Sequence, residues 1–130
     1  KGWYEYGKGF VNVLVALDKC TKKNGTIEIA KKHEGGFYNL IKNTKKNFTP
    51  DIKPSLEKKI KFQAIELDIG DIVIFSNTCP HRSKKNKTRQ HRKTLYYTYL
   101  PKEYGFKYNK YFNDKINSKN STSKSLSGEI

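Results

Sequence analysis

Ile65-Glu66-Leu67-Asp68-Ile69-Gly70-Asp71-Ile72-Val73-Ile74-Phe75 is the stretch that decides the fold class. Ile65, Leu67 and Ile69 alternate with Glu66 and Asp68, the period-two pattern of a strand with one buried face. Gly70-Asp71 supplies a turn, and Ile72 to Phe75 continues as a second strand, so residues 62–75 are expected to form a hairpin. Upstream, Phe10 to Leu17 is a nearly continuous apolar run whose branched residues favour a buried strand over a helix. Asp18 to Gly25 is polar and ends in the turn signal Asn24-Gly25. Thr26 to Ala30 alternates, and the two strands are expected to lie antiparallel across that loop. Downstream, Thr94 to Tyr99 is a further strand, rich in aromatic and branched residues. Roughly five or six strands with no strand–helix–strand alternation imply an all-β sandwich or jelly roll.

The remaining segments are less regular. Lys31 to Lys61 is basic and broken by Pro50 and Pro54, as a surface excursion would be, with a short helix near Ser55 to Lys59. After Pro101 the aromatic and basic segment reads as a short helix or a lid, and the rings of Tyr104, Phe106, Tyr108, Tyr111 and Phe112 are expected to cover a sheet edge or an open core end. Ser118 to Ile130 is rich in Ser, Lys and Asn and reads as a flexible tail, so the folded body is expected over residues 1–117.

Composition narrows the function classes. The chain has 130 residues, enough for one domain, and a formal net charge of +15. Lysine supplies nearly all of that charge; the arginines are Arg82, Arg89 and Arg92. Arginine is the preferred reader of phosphates and base edges. Its scarcity, beside abundant Lys, Asn, Tyr and Ile with their AT-rich codons, argues for codon bias and against nucleic acid. Cys20 and Cys79 form no C-x-x-C pair, which argues against a zinc site. No apolar run reaches membrane-span length and no signal-peptide pattern opens the chain, so a soluble cytoplasmic protein is expected.

Two residues carry candidate chemistry. His81, in Pro80-His81-Arg82-Ser83, falls just after an apolar strand, where a sheet can aim its imidazole at a metal such as iron(II). Arg92 opens the next strand, and its planar fork suits a carboxylate. If that strand pairs with Ile72–Phe75, His81 and Arg92 meet near one end of a sheet. A lone loop histidine is more often structural than a ligand, so the pair matters only within a larger pattern.

That pattern runs Gly70-Asp71-Ile72-Val73-Ile74-Phe75, Pro80-His81-Arg82-Ser83, Asn86, Arg92 and Leu95 to Tyr99, with Asn12 to Asp18, Asn24-Gly25 and Glu28-Ile29-Ala30 upstream. It resembles the phytanoyl-CoA dioxygenase-like family of iron(II)/2-oxoglutarate oxygenases. Glu103-Tyr104-Gly105 and Tyr111 to Lys115 are similar to a subgroup related to 2-aminoethylphosphonate dioxygenase. The resemblance implies a cupin-like double-stranded β-helix, a jelly roll incomplete at its N-terminus. It implies iron(II) and 2-oxoglutarate, with His81 as the distal iron ligand, Arg92 on the distal carboxylate of 2-oxoglutarate, and Ser83 assisting. It places Trp3 on the substrate side; Asn86 falls either there or in a loop turn. His33 is read as structural or pocket-lining, and His91 as pointing away from the site. The implied partner is a small molecule with an anionic or amine group, with no membrane.

One departure bears on activity. The family binds iron through His-x-Asp or His-x-Glu plus the distal His. None of His33, His81 and His91 begins such a motif. It would fall just before Trp3, so the reading is a fragment whose parent carried it, and a chain inactive by itself. The alternative is a catalytically inactive jelly-roll module that binds an anionic ligand or nucleic acid.

Overall fold

The computed structural model describes residues 5–30, 41–42 and 51–126. Trp3 and His33, and most of the 31–61 excursion up to Asp51, lie outside them. Two three-stranded antiparallel sheets form the body. In the first, β1 (Val11–Ala16) lies between β6 (Ile72–Ser76) and β8 (Thr94–Tyr99). In the second, β2 (Ile27–Ala30) lies between β5 (Phe62–Ala64) and β7 (His81–Ser83). A separate short pair joins β3 (Ile41–Lys42) to β4 (Asp51–Ile52), and α1 (Pro54–Glu57) follows with proline in its first turn.

Both hairpins expected from the sequence are corrected. β1 does not pair with β2, and β5 does not pair with β6, because each couple is split between the two sheets. The intervening segments cross from sheet to sheet side by side. Cys20 and Leu67 exchange backbone hydrogen bonds of 2.8 and 2.9 Å at the midpoint, Ile65 N–H donates to Ile27 O, and Gly70 N–H donates to Ala16 O. The alternation of Ile65, Leu67 and Ile69 thus reports a crossing segment with Leu67 buried, not one arm of a hairpin. β8 pairs with β1 rather than with β6, so the expected β6–β8 contact is also corrected.

The main core fills the space between the sheets. Leu14, Ala16 and Phe75 come from the first sheet, Ile27 from the second, and Cys20 and Leu67 from the crossing segments. Burial of each such large side chain is worth roughly 1.5–3 kcal/mol. In β1, Leu14 pairs across to Val73 and Tyr96, and Asn12 to Phe75 and Thr98. Cross-strand partners share a face, so Val73, Phe75, Tyr96 and Thr98 all look inward with Leu14.

A second, smaller cluster of Tyr6, Phe10 and Tyr111 ties the chain's beginning to its last helix. Tyr6 O–H donates to Asp114 at 2.6 Å, and the Tyr6 and Tyr111 rings meet edge to face. Burial and the Asp114 carboxylate push the Tyr6 phenol well above its usual range. A 3₁₀ turn over Lys102–Tyr104 leads into that helix, α2 (Tyr108–Leu126). The helix runs on past Asn117 through the segment expected as a tail. No Gly or Pro interrupts residues 108–126, and lysine is a good helix former.

Candidate functional site

His81 opens β7, opposite Ile29 of β2. Ser83 lies opposite Ile27, so strand alternation turns His81 and Ser83 toward the inter-sheet side and Arg82 away from it. Both His81 and Ser83 are nevertheless exposed, which places them at the open rim of the core. His81 Nδ1 lies 2.9 Å from the carbonyl oxygen of Cys79. A carbonyl only accepts, so Nδ1 is the donor; in the neutral imidazole this tautomer leaves the Nε2 lone pair to a metal. The ring packs edge-on against Phe75 at 4.9 Å, and Phe75 in turn meets Tyr96 at 6.2 Å. The imidazole is thereby oriented both by a hydrogen bond and by packing across the sheets.

The opposite face of β7 is anchored by charge. Arg82 Nε donates to Glu28 at 2.6 Å, its Nη1 donates to Glu57 at 2.8 Å, and its guanidinium lies 4.2 Å above the Phe62 ring. Lys84 Nζ lies 3.0 Å from the other Glu28 oxygen. Burial alone would raise the Glu28 carboxyl; the hydrogen bonds from Arg82 and Lys84 outweigh it and hold the group below its usual range. This network staples β7 to β2 and α1, which fixes the strand that carries His81.

Arg92 stands two positions before β8 and is half buried. Its Nε donates to the carbonyl oxygen of Asn24 at 3.1 Å. Among the described residues no carboxylate pairs with it, unlike Arg82. Its charge is felt on the inner side: burial raises both the Tyr96 phenol and the Cys20 thiol, and Arg92 partly opposes each rise. A half-buried guanidinium, bound through Nε and with no carboxylate partner among the described residues, can present its terminal nitrogens to a carboxylate.

The turn before β2 brings the pieces together. The Asn24 carbonyl holds Arg92, and a Cβ at Gly25 (φ 80°) would collide with the carbonyl oxygen of Lys84, the neighbour of Ser83. Residues 24 and 25 thus touch both the Arg92 side chain and the segment that follows β7. Asn86 is engaged within the loop: its Nδ2 donates to Gln90 O at 2.7 Å, and its Oδ1 accepts from Thr88 N–H and Oγ1 at 2.8 Å. His91 is exposed.

Sequence reasoning missed Asn24 as anything but a turn former, and it missed Phe75 and Tyr96 as the rings between His81 and Arg92. An Asn-Gly pair directly after a buried strand was the available signal for the first. For the rings, the signal was their inward parity, which needs the register to be known.

The described residues do not by themselves hold a metal. His81 supplies one imidazole, and no three His, Cys, Asp or Glu side chains among them converge on a point. Arg92 has the donor chemistry that a carboxylate ligand requires.

Comparison with known proteins sets this geometry in a family. Residues 2–94 match the family model described as phytanoyl-CoA dioxygenase. The chain belongs to the phytanoyl-CoA dioxygenase family. It is 29% identical over 116 residues to a methylphosphonate hydroxylase of Gimesia maris, covering 88% of this chain and 42% of that protein. It is 27% identical over 108 residues to a 2-aminoethylphosphonate dioxygenase of an uncultured bacterium, covering 83% of this chain and 39% of that protein. The chain therefore spans about two fifths of the length of these curated relatives. The crystal structure of EvdMO1 superposes with a TM-score of 0.52 at 20% identity, over 69% of this chain and 19% of that one, which speaks for a shared fold. No helix among the described residues is long and apolar enough to cross a membrane.

Proposed function

We propose that the protein carrying this chain is an iron(II)- and 2-oxoglutarate-dependent oxygenase that hydroxylates a small anionic molecule, on a jelly-roll scaffold of which this chain is one part. The supporting observation is the contrast between the two anchors: His81 with Nδ1 tied to a carbonyl, and Arg92 half buried with no carboxylate partner among the described residues. In this reading His81 Nε2 is one metal ligand, and the remaining protein ligands come from outside the described residues. Arg92 binds the distal carboxylate of 2-oxoglutarate through its terminal nitrogens, and the exposed Ser83 hydroxyl donates to the same group. Iron supplies oxygen activation when bound; the chain's own residues orient the co-substrate and fix the imidazole.

The relatives named for phosphonates suggest the prime substrate class. Lys85, Lys87, Arg89 and Lys93 lie in the loop between β7 and β8 and enter no ion pair among the described residues. A cationic rim of this kind raises the local concentration of a dianionic phosphonate.

The test is turnover. The whole protein should convert 2-oxoglutarate to succinate in an iron-dependent manner, and His81→Ala should abolish both succinate formation and tight iron uptake. The 130-residue chain alone should show little or no succinate formation, because one imidazole is a poor iron site. Undiminished iron uptake by the whole His81→Ala protein would overturn the ligand assignment.

A further inference from the structure

Asn24 is 2% exposed, and every polar atom of it is spent. Its side-chain Oδ1 accepts from Thr21 N–H at 2.7 Å, its Nδ2 donates to Lys19 O at 2.8 Å, and its own N–H donates to Thr21 Oγ1 at 3.3 Å. Thr26 N–H closes the turn on Thr21 O at 2.9 Å. The one atom that reaches out of this knot is the carbonyl oxygen, and it accepts from Arg92 Nε. The neighbouring residue is locked as well. Gly25 has positive φ and lies so close to the Lys84 carbonyl that no side chain fits. Lys87 N–H donates to Lys23 O from the same loop.

The main chain beside the arginine is clamped to the same turn. Lys93 N–H donates to the Asp18 carboxylate at 2.8 Å, and Lys93 O accepts from Leu17 and Asp18 N–H at 3.0 and 3.2 Å. With its backbone pinned at Lys93 and its Nε pinned at Asn24, Arg92 has few remaining rotational freedoms. Holding Nε leaves the two terminal nitrogens as a fork. A bidentate carboxylate contact is strong only when that fork is already oriented.

We infer that Asn24 is a positioning residue for co-substrate binding: its buried amide rigidifies the turn whose carbonyl aims the Arg92 guanidinium. The inference rests on the assignment of Arg92 to the 2-oxoglutarate carboxylate. Asn24 touches neither metal nor co-substrate in this arrangement and acts through Arg92.

The experiment is a double-mutant cycle on the whole protein, read as the dissociation constant of 2-oxoglutarate by calorimetry, with thermal unfolding of each variant alongside. Asn24→Ala should weaken 2-oxoglutarate about tenfold, the loss expected for a mis-aimed charged hydrogen bond. In the Arg92→Ala background the same substitution should add less than about twofold, because there is no guanidinium left to aim. Asn24→Asp keeps the acceptor for Thr21 N–H but loses the donor to Lys19 O. It serves where Asn24→Ala unfolds, and it should give an intermediate loss. Wild-type affinity in a folded Asn24 variant, with Arg92→Ala impaired, would overturn this inference alone. So would a tenfold loss that persists in the Arg92→Ala background, since that marks a general disturbance of the fold. Unchanged affinity in Arg92→Ala itself would remove the underlying assignment.

Discussion

The two faces of the first sheet, β6–β1–β8, differ more than their sequences suggest. Both are apolar. The inner face carries Leu14, Ala16, Val73 and Phe75 and is packed against the second sheet. The outer face carries Ile72, Ile74, Leu95, Tyr97 and Tyr99, all exposed, with Ile74 at 67%. Near-continuous apolar strands are the pattern of a sheet covered on both sides. Among the described residues one side is covered, and that side holds Phe75, which packs against His81, and Tyr96, which packs against Phe75. Hydrophobicity therefore located the strands of this sheet, while packing decided which face meets His81.

The contrast can be broken most easily in the core. Leu14→Ala should cost about 2–5 kcal/mol, because the side chain is 2% exposed and little can collapse into its place. Ile74→Ala, on the outer face, should cost well under about 1 kcal/mol. Denaturant midpoints of the two variants check this, and equal costs would mean that the outer face is packed after all.

A smaller effect is expected from the charge network behind β7. Glu28→Gln leaves Arg82 and Lys84 without their shared carboxylate and should cost about 1–2 kcal/mol, discounted because both cations are partly solvated. In the folded state, against the effect of burial, the Glu28 carboxyl is held below the usual carboxylate range by Arg82 and Lys84. The unfolded chain therefore binds the proton more readily, and the stabilisation is present above the unfolded carboxyl's range and lost as pH falls through the folded one. Glu28→Gln should flatten that acid limb of the stability curve; an unchanged limb would assign it to other carboxylates.

The smallest effect on stability belongs to charge on the open face. Ile74→Lys combined with Tyr97→Lys should shift stability by no more than about 0.5 kcal/mol while reducing binding of a hydrophobic dye and self-association. A large loss of stability would again contradict an open outer face.

The strands of the first sheet were legible because Val, Ile and aromatic runs mark them directly, as in residues 10–17, 72–75 and 94–99, whereas β7 of the second sheet, His81-Arg82-Ser83, carries no such run and was not. The pairing of the strands was not legible either. Cys20 and Leu67 sit in segments that look like hairpin arms, yet they cross between sheets, and no local pattern separates the two cases. His81 and Arg92 were legible as residue types at a spacing within a family pattern. What holds them was not: the Cys79 carbonyl is local, but the Asn24 carbonyl lies far from Arg92 in sequence, and contacts of that kind appear only once the crossing segments are in place. Helix α2 was underestimated because the polar composition of residues 118–126 reads as tail, although nothing in it breaks a helix.

The most direct test of the site is a calorimetric titration of 2-oxoglutarate into the whole protein with Arg92 intact and with Arg92→Ala. If the Arg92 fork holds the distal carboxylate, the dissociation constant should rise about a hundredfold, the loss of two charge-assisted hydrogen bonds. Equal affinities in the two proteins would contradict it.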